Sequence, residues 1–302
     1  MMPLLNREKI LKKKREGASN MYKILGKRSL NSTITWLEIE APLIAKKIKP
    51  GQFIILRTDE FGERIPLTVA GHNLKKGTIE IIYQVVGKTT ALLDQFKEGD
   101  EIADVVGPLG KATDMEGLKK VAVVGGGTGN ALAYPIAKGM HDAGIQVDMI
   151  AGFQTKDAVI LENEFRMGTD NLYITTDDGT YGEKGFTTDK LKELIELGKQ
   201  YDEIVAVGPP MMMKFICQLA KKYGIKTVVS LTAYMVDGTG MCGGCRVIIG
   251  GETKFVCVDG PEFDGQLVDW DEIIARNSFY KNQEKQDSEH VCRLTGGIRH
   301  HD

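Results

Sequence analysis

The run from Asp237 to Cys257, DGTGMCGGCRVIIGGETKFVC, constrains this chain more than any other stretch. It holds three of the five cysteines, Cys242, Cys245 and Cys257, in the pattern D-x4-C-x2-C-x11-C. The plant-type iron–sulfur spacing is C-x4-C-x2-C followed by a distant Cys, so Asp237 stands where the first cysteine would be. Gly238, Gly240, Gly243 and Gly244 suit a loop whose backbone N–H groups turn inward toward a sulfide-rich cluster. The spacing predicts a [2Fe–2S] cluster held by three thiolates and one carboxylate. Zinc is an alternative, but zinc ribbons usually bring a second C-x2-C or a His pair. A disulfide or a redox dithiol are two more, and no hydrophobic signal segment argues for an oxidising compartment. Asp-Gly is also a common turn pair, which leaves open a fourth ligand other than Asp237.

A length of 302 residues allows two or three domains with cores of their own. The formal net charge of −2 carries no basic excess for nucleic acid, and no apolar run is long enough to span a bilayer. The Lys-rich beginning lacks a hydrophobic signal core, so the expected location is cytoplasmic. Residues 1–20, with a Lys/Arg cluster from Lys9 to Arg15, read as an extension outside the fold. Residues 281–302 read as a polar tail. Its Cys292, His290, His300 and His301 could bind metal, but a tail is the simpler reading.

From Met21 to about residue 115 the chain reads as short strands with turns, in runs such as TITWLEIE, QFIILRT, IPLTVAG and TIEIIYQVV. Regular short strands predict a small antiparallel barrel. One helix interrupts it, from Gly87 to Phe96. Its glycine-led start offers free N–H groups to a phosphate, although a plain connecting helix fits equally well. From residue 116 to 230 strands alternate with helices, which predicts a doubly wound parallel sheet of about five strands. Gly125, Gly126, Gly127, Thr128 and Gly129 lie between the first strand and its helix. They are not a strict G-x-G-x-x-G, yet their position predicts a pyrophosphate cradle. Two further loops leave carboxyl ends of strands, one at Asp177-Asp178 and one at Gly208-Pro209-Pro210-Met211. Asp177 and Asp178 would face a ribose hydroxyl and repel a 2′-phosphate, which favours NAD over NADP; the competing reading is a turn with capping aspartates. Met211 to Met213 also fit a helix start and core, and Cys217 a buried apolar position. Residues 231–280 form the cysteine module with a short closing helix.

With these pieces placed, the sequence resembles the ferredoxin–NADP reductase superfamily, in the order flavin barrel, nucleotide domain, iron–sulfur module. Within it the resemblance is to dihydroorotate dehydrogenase electron-transfer subunits and their electron-bifurcating relatives. It runs from Met21 to about Tyr280 and is carried by VVGGGTGNALAYPIA, TTDDGTYGEKG, MVDGTGMCGGCRV and VCVDGPEF. The resemblance implies FAD in the barrel. It assigns the flavin loop to Arg64, Pro66, Leu67 and Thr68, adds Tyr83, and gives the FAD pyrophosphate to Gly87, Thr89 and Thr90. The superfamily form R-x-Y-[ST] is not kept: the Tyr is missing and Arg64 stands one residue further from Thr68. Val207 occupies the place of a frequent superfamily cysteine, so no catalytic thiol is implied there. No general acid or base is expected.

The implied function is electron transfer between NAD(H), FAD and a [2Fe–2S] cluster. The implied partner is a larger flavin and iron–sulfur subunit handling NADPH and ferredoxin. An NAD-dependent dihydroorotate dehydrogenase subunit is the nearest alternative; that branch is similar here but carries cysteine at the first ligand position. A non-catalytic nucleotide-binding protein with a zinc module is the alternative from another class.

Overall fold

Two sheets of opposite character make up the molecule. A computed structural model describes residues 21–278; the expected extension and tail, with Cys292 and the three histidines, lie outside them. Seven strands come first: β1 (Tyr22–Ser29), β2 (Ile34–Glu40), β3 (Phe53–Arg57), β4 (Ile65–Asn73), β5 (Thr78–Gln84), β6 (Glu101–Ile102) and β7 (Asp104–Leu109). They form one antiparallel sheet in the order β6-β1-β2-β5-β4-β3-β7, curled so that its first and last strands are consecutive in the chain. Alternation explains the curl. In β3, Ile54 and Leu56 enter the barrel core with Leu37, Ile39, Ile79 and Ile81, while Phe53 and Ile55 face the other way. Two short helices interrupt the sheet, α1 (Pro42–Ala45) and α2 (Lys88–Leu93), the second where a helix was expected.

The second sheet is built from β8 (Lys120–Gly126), α3 (Gly129–Asp142), β9 (Gln146–Phe153), α4 (Glu162–Gly168), β10 (Asn171–Thr176), β11 (Glu183–Lys184), α5 (Thr187–Glu196), β12 (Glu203–Val207), α6 (Pro210–Lys222) and β13 (Lys226–Ser230). Its parallel core runs β10-β9-β8-β12-β13. Val121 to Val124 are fully buried, as strands covered by helices on both faces require. Strand order reverses between β9 and β12 around β8, so a crevice opens there at the carboxyl ends of the strands.

The cysteine segment contributes a hairpin of β14 (Arg246–Ile249) and β15 (Glu252–Phe255), a one-turn α7 (Val256–Asp259), then β16 (Glu262–Asp264) and α8 (Trp270–Ser278). β16 pairs antiparallel with β13 and so extends the nucleotide sheet. No helix among the described residues is long and apolar enough to cross a membrane.

Candidate electron-transfer site

A cavity of about 1020 Å³ runs from the barrel to the carboxyl edge of the parallel sheet. On the barrel side it is lined by Pro66, Leu67 and Thr68 of β4, by Tyr83 and by Thr90. On the sheet side its walls include Gly126, Gly127, Thr128 and Gly129, then Asp177, then Gly208, Pro209 and Met211. Of the expected residues, six do not line it: Arg64, Gly87, Thr89, Gly125, Asp178 and Pro210. Each has a local reason. Arg64 is exposed just ahead of β4. Thr89 donates its hydroxyl to Glu63 at 2.9 Å. Gly87 stands at the start of α2, where its N–H donates to the Thr90 hydroxyl at 3.0 Å. Gly125 is buried in β8, and Pro210 opens α6. Asp178 accepts from the N–H and hydroxyl of Thr180 at 2.9 and 2.7 Å, and these bonds hold its carboxyl below the usual range. The two aspartates thus separate: Asp177 faces the cavity and Asp178 braces its own turn.

The glycine turn is shaped by contact. A Cβ on Gly126 would collide with the Met212 sulfur, and one on Gly129 would collide with the Val207 carbonyl. Gly127 adopts φ +55, a region that side chains disfavour. Asn130, which breaks the expected motif, ties the turn down. Its buried Nδ2 donates to the Gly127 carbonyl at 3.0 Å and to the Gly152 carbonyl at 2.9 Å. The buried Thr175 hydroxyl, also at the cavity wall, has no partner among the described residues. A backbone-lined turn at a helix start and an orphaned hydroxyl fit a dinucleotide pyrophosphate and ribose. Sequence reasoning missed Gly152, Thr175, Phe186 and Phe215 along this wall. The carboxyl-edge rule pointed to the ends of β10 and β12, but nothing local marks which side chains turn inward.

The cysteine loop packs against the outward face of β3, the face that Phe53 and Ile55 share. Cys245 and Cys257 are buried, with sulfurs 3.2 Å apart, and Cys242 is exposed. Burial first, then the Cys245 neighbour, pushes the Cys257 thiol up, so metal binding must displace its proton. The Gly244 N–H donates to the Cys242 sulfur at 3.4 Å. Arg276 of α8 donates to the Gly244 carbonyl at 3.0 Å and anchors the loop from behind. Asp237 accepts from the N–H groups of Thr239 and Cys242 at 2.9 and 2.7 Å, and its carboxyl is held below the usual range by these bonds, the Thr239 one foremost. Among the described residues, no three His, Cys, Asp or Glu side chains converge on one ion. A binuclear cluster asks for less convergence, because its four ligands divide between two irons. Two thiols on a glycine loop, a third in α7, and N–H groups directed at the Cys242 and Cys245 sulfurs fit that group.

A curled antiparallel sheet, a doubly wound sheet and a cysteine module together define a ferredoxin reductase-like oxidoreductase, whose cofactors are FAD, NAD(P) and an iron–sulfur cluster. Residues 232–269 match the family described as the iron–sulfur cluster binding domain of dihydroorotate dehydrogenase B. A dihydroorotate dehydrogenase B (NAD(+)) electron transfer subunit homolog from Thermotoga maritima is 44% identical, over 93% of this chain and 99% of that one. The corresponding electron transfer subunit from Geobacillus thermodenitrificans is 34% identical, over 80% of this chain and 94% of that one. Among solved structures, a chain of the NADH-dependent reduced ferredoxin–NADP oxidoreductase, a structure solved for insight into flavin-based electron bifurcation, superposes with a TM-score of 0.85. It is 44% identical, covering 91% of this chain and 99% of that one. The chain belongs to the family of dihydroorotate dehydrogenase B electron-transfer subunits, flavin and iron–sulfur oxidoreductase subunits.

Proposed function

We propose that this chain carries electrons between NAD(H) and a larger partner subunit that handles NADPH and ferredoxin, within an electron-bifurcating complex. The observation that carries the reading is one continuous cavity joining the Thr68 wall of the barrel to the glycine turn, with the cysteine loop seated beside that wall on the outward face of β3. When bound, NAD(H) exchanges hydride with FAD and the cluster exchanges single electrons with it. The chain's own residues bind and orient. Pro66, Leu67 and Thr68 form the flavin wall, with Tyr83 and Thr90 beside them. The turn from Gly126 to Gly129 presents backbone to the dinucleotide pyrophosphate, and Gly208, Pro209 and Met211 close the nicotinamide side. Asp177 reads the ribose hydroxyls. Cys245 and Cys257 make the inner ligand pair, and Asp237 with Cys242 the exposed pair. The exposed apolar side chains Val236, Met241 and Val258 beside that pair offer a surface for the partner.

Residues 21–115, 116–230 and 231–280 serve in this reading as flavin, nucleotide and cluster units. The second reading is a dihydroorotate dehydrogenase subunit, favoured by the matching family descriptions. Aspartate rather than cysteine at 237 supports the bifurcating branch. The test is purification with the native partner, followed by flavin, iron and zinc analysis and nicotinamide kinetics. One FAD and two irons per chain are expected. The isolated subunit should reduce an artificial acceptor at least about tenfold better with NADH than NADPH, about 1.4 kcal/mol. Zinc in place of iron, or equal use of both nicotinamides, would overturn the reading.

A further inference from the structure

We infer that the outward face of β3, with Leu109 of β7, is the seat that sets the spacing between the flavin end of the cavity and the cluster loop. The inference rests on the cofactor reading above. β3 divides its side chains between two duties. Ile54 and Leu56 fill the barrel core, while Phe53 and Ile55 join the apolar cluster that contains Cys245, Val256 and Cys257. Phe53 also lines the cavity and is paired with Thr68 across the sheet. Ile55 follows two residues on, on the same face, about 7 Å along the strand. One strand thus touches the flavin wall with one side chain and the ligand loop with the next.

The contact at Ile55 has no slack. Gly238, beside Asp237, adopts φ +73, and a Cβ there would lie 2.8 Å from both Ile55 Cγ1 and Leu109 Cδ1. A second close approach braces the other end. At Gly110 a Cβ would lie 2.8 Å from the Phe53 ring and 3.0 Å from Pro261 Cδ, and the Lys111 N–H donates to the Gly260 carbonyl at 2.7 Å. Close-packed contacts of this kind transmit displacement rather than absorb it. Trimming Ile55 or Leu109 therefore lets the loop settle at a different height over β3. The electron count makes the spacing consequential. Each NADH delivers two electrons to the flavin, and each oxidised cluster accepts one. The flavin must release its two electrons singly across this seat, with an external one-electron acceptor reoxidising the cluster between them.

The experiment compares Ile55→Ala, Leu109→Ala and the milder Ile55→Val with Leu56→Ala in the holoprotein. Leu56→Ala makes a cavity of similar kind on the same strand but on the barrel side. Iron and flavin contents, the EPR spectrum and potential of the reduced cluster, and rapid-mixing absorbance after NADH addition are measured. Flavin bleaching should keep its rate in all variants. Cluster bleaching should slow in Ile55→Ala and Leu109→Ala, by up to the roughly hundredfold that ångström misplacement can cost in oriented reactions, and the EPR spectrum should shift. Leu56→Ala should leave both unchanged, and Ile55→Val should fall between. Loss of iron from Ile55→Ala alone would equally support the seat. Wild-type cluster kinetics and EPR in Ile55→Ala, or equal slowing in Leu56→Ala, would overturn it. A wild-type chain without a two-iron cluster would sink the cofactor reading and this inference together.

Discussion

Asp237 shapes the cluster loop, and the ligand role proposed for it is a separate matter. Its carboxylate accepts from two backbone N–H groups and so shapes the loop, and it stands at the first ligand position of the spacing. The roles separate by substitution. Asp237→Cys should keep a two-iron cluster with altered g-values and potential, because both ligands carry one negative charge while oxygen is harder than sulfur. Asp237→Ala should lose or loosen the cluster, read as iron content and EPR. An Ala variant with wild-type iron, spectrum and potential would place the fourth ligand elsewhere. Asp178 shows the opposite outcome for a similar residue. It looked like a ribose partner beside Asp177, yet its carboxylate is committed to Thr180, two residues away. Residue type alone could not divide that pair; the turn geometry did.

At the scale of elements, the turn between β8 and α3 owes its shape to a residue outside the expected motif. Asn130 joins the Gly127 carbonyl, in the turn, to the Gly152 carbonyl, at the end of β9, from a fully buried position. Asn130→Ala strips a donor from two carbonyls that the fold keeps inside. Each carbonyl keeps a backbone donor, Gly152 from the Gly127 N–H at 2.9 Å and Gly127 from the Asn130 N–H at 3.2 Å. The change therefore removes two hydrogen bonds of about 0.5–1.5 kcal/mol each, about 1–3 kcal/mol together. The variant should melt lower by that amount and bind NADH more weakly, since the turn keeps only the Gly127 N–H bond to the neighbouring strand and loses the side-chain one. Thermal unfolding with and without NADH measures both effects. A variant with unchanged stability and unchanged NADH affinity would show that the glycines hold the turn unaided. The motif departure at 130 was visible in the sequence. Its meaning was not, because its acceptor Gly152 lies 22 residues away.

At the scale of the whole molecule, Glu262 sits where the three units meet. It lies on β16, accepts from the Thr113 hydroxyl of the connector at 2.6 Å, and approaches Gly51 of the barrel. Burial, then Glu203 and Asp114, push its carboxyl up to about 7. Glu203 on β12 is itself paired with Lys226 of β13 at 2.6 Å. The folded state therefore binds the Glu262 proton more tightly than the unfolded chain does. Its stabilising contribution is full below the ordinary carboxylate range and is lost as pH rises through about 7. Wild-type melting temperature should fall between pH 6 and pH 8, by the equivalent of about 1 kcal/mol. Glu262→Gln should flatten that dependence. Parallel pH profiles for the two proteins would remove Glu262 as the cause.

The chain's sequence by itself determined the elements and the chemistry they carry. β10 runs from Asn171 to Thr176 over the NLYITT stretch read as a strand, the glycine turn follows β8, and Cys242 and Cys245 fall in one glycine-rich loop. These depend on neighbours a few residues apart, where periodicity, turn preference and ligand spacing act. The tertiary structure decided which side chains meet. It turned Thr89 toward Glu63, left Arg64 in solvent, and added β16 to a sheet that the strand–helix rhythm ended at β13. It also set Gly238 of the cluster loop against Ile55 and Leu109 of the barrel. Each of these joins residues far apart in sequence, and such contacts are selected by close packing of the whole chain, which no local pattern encodes.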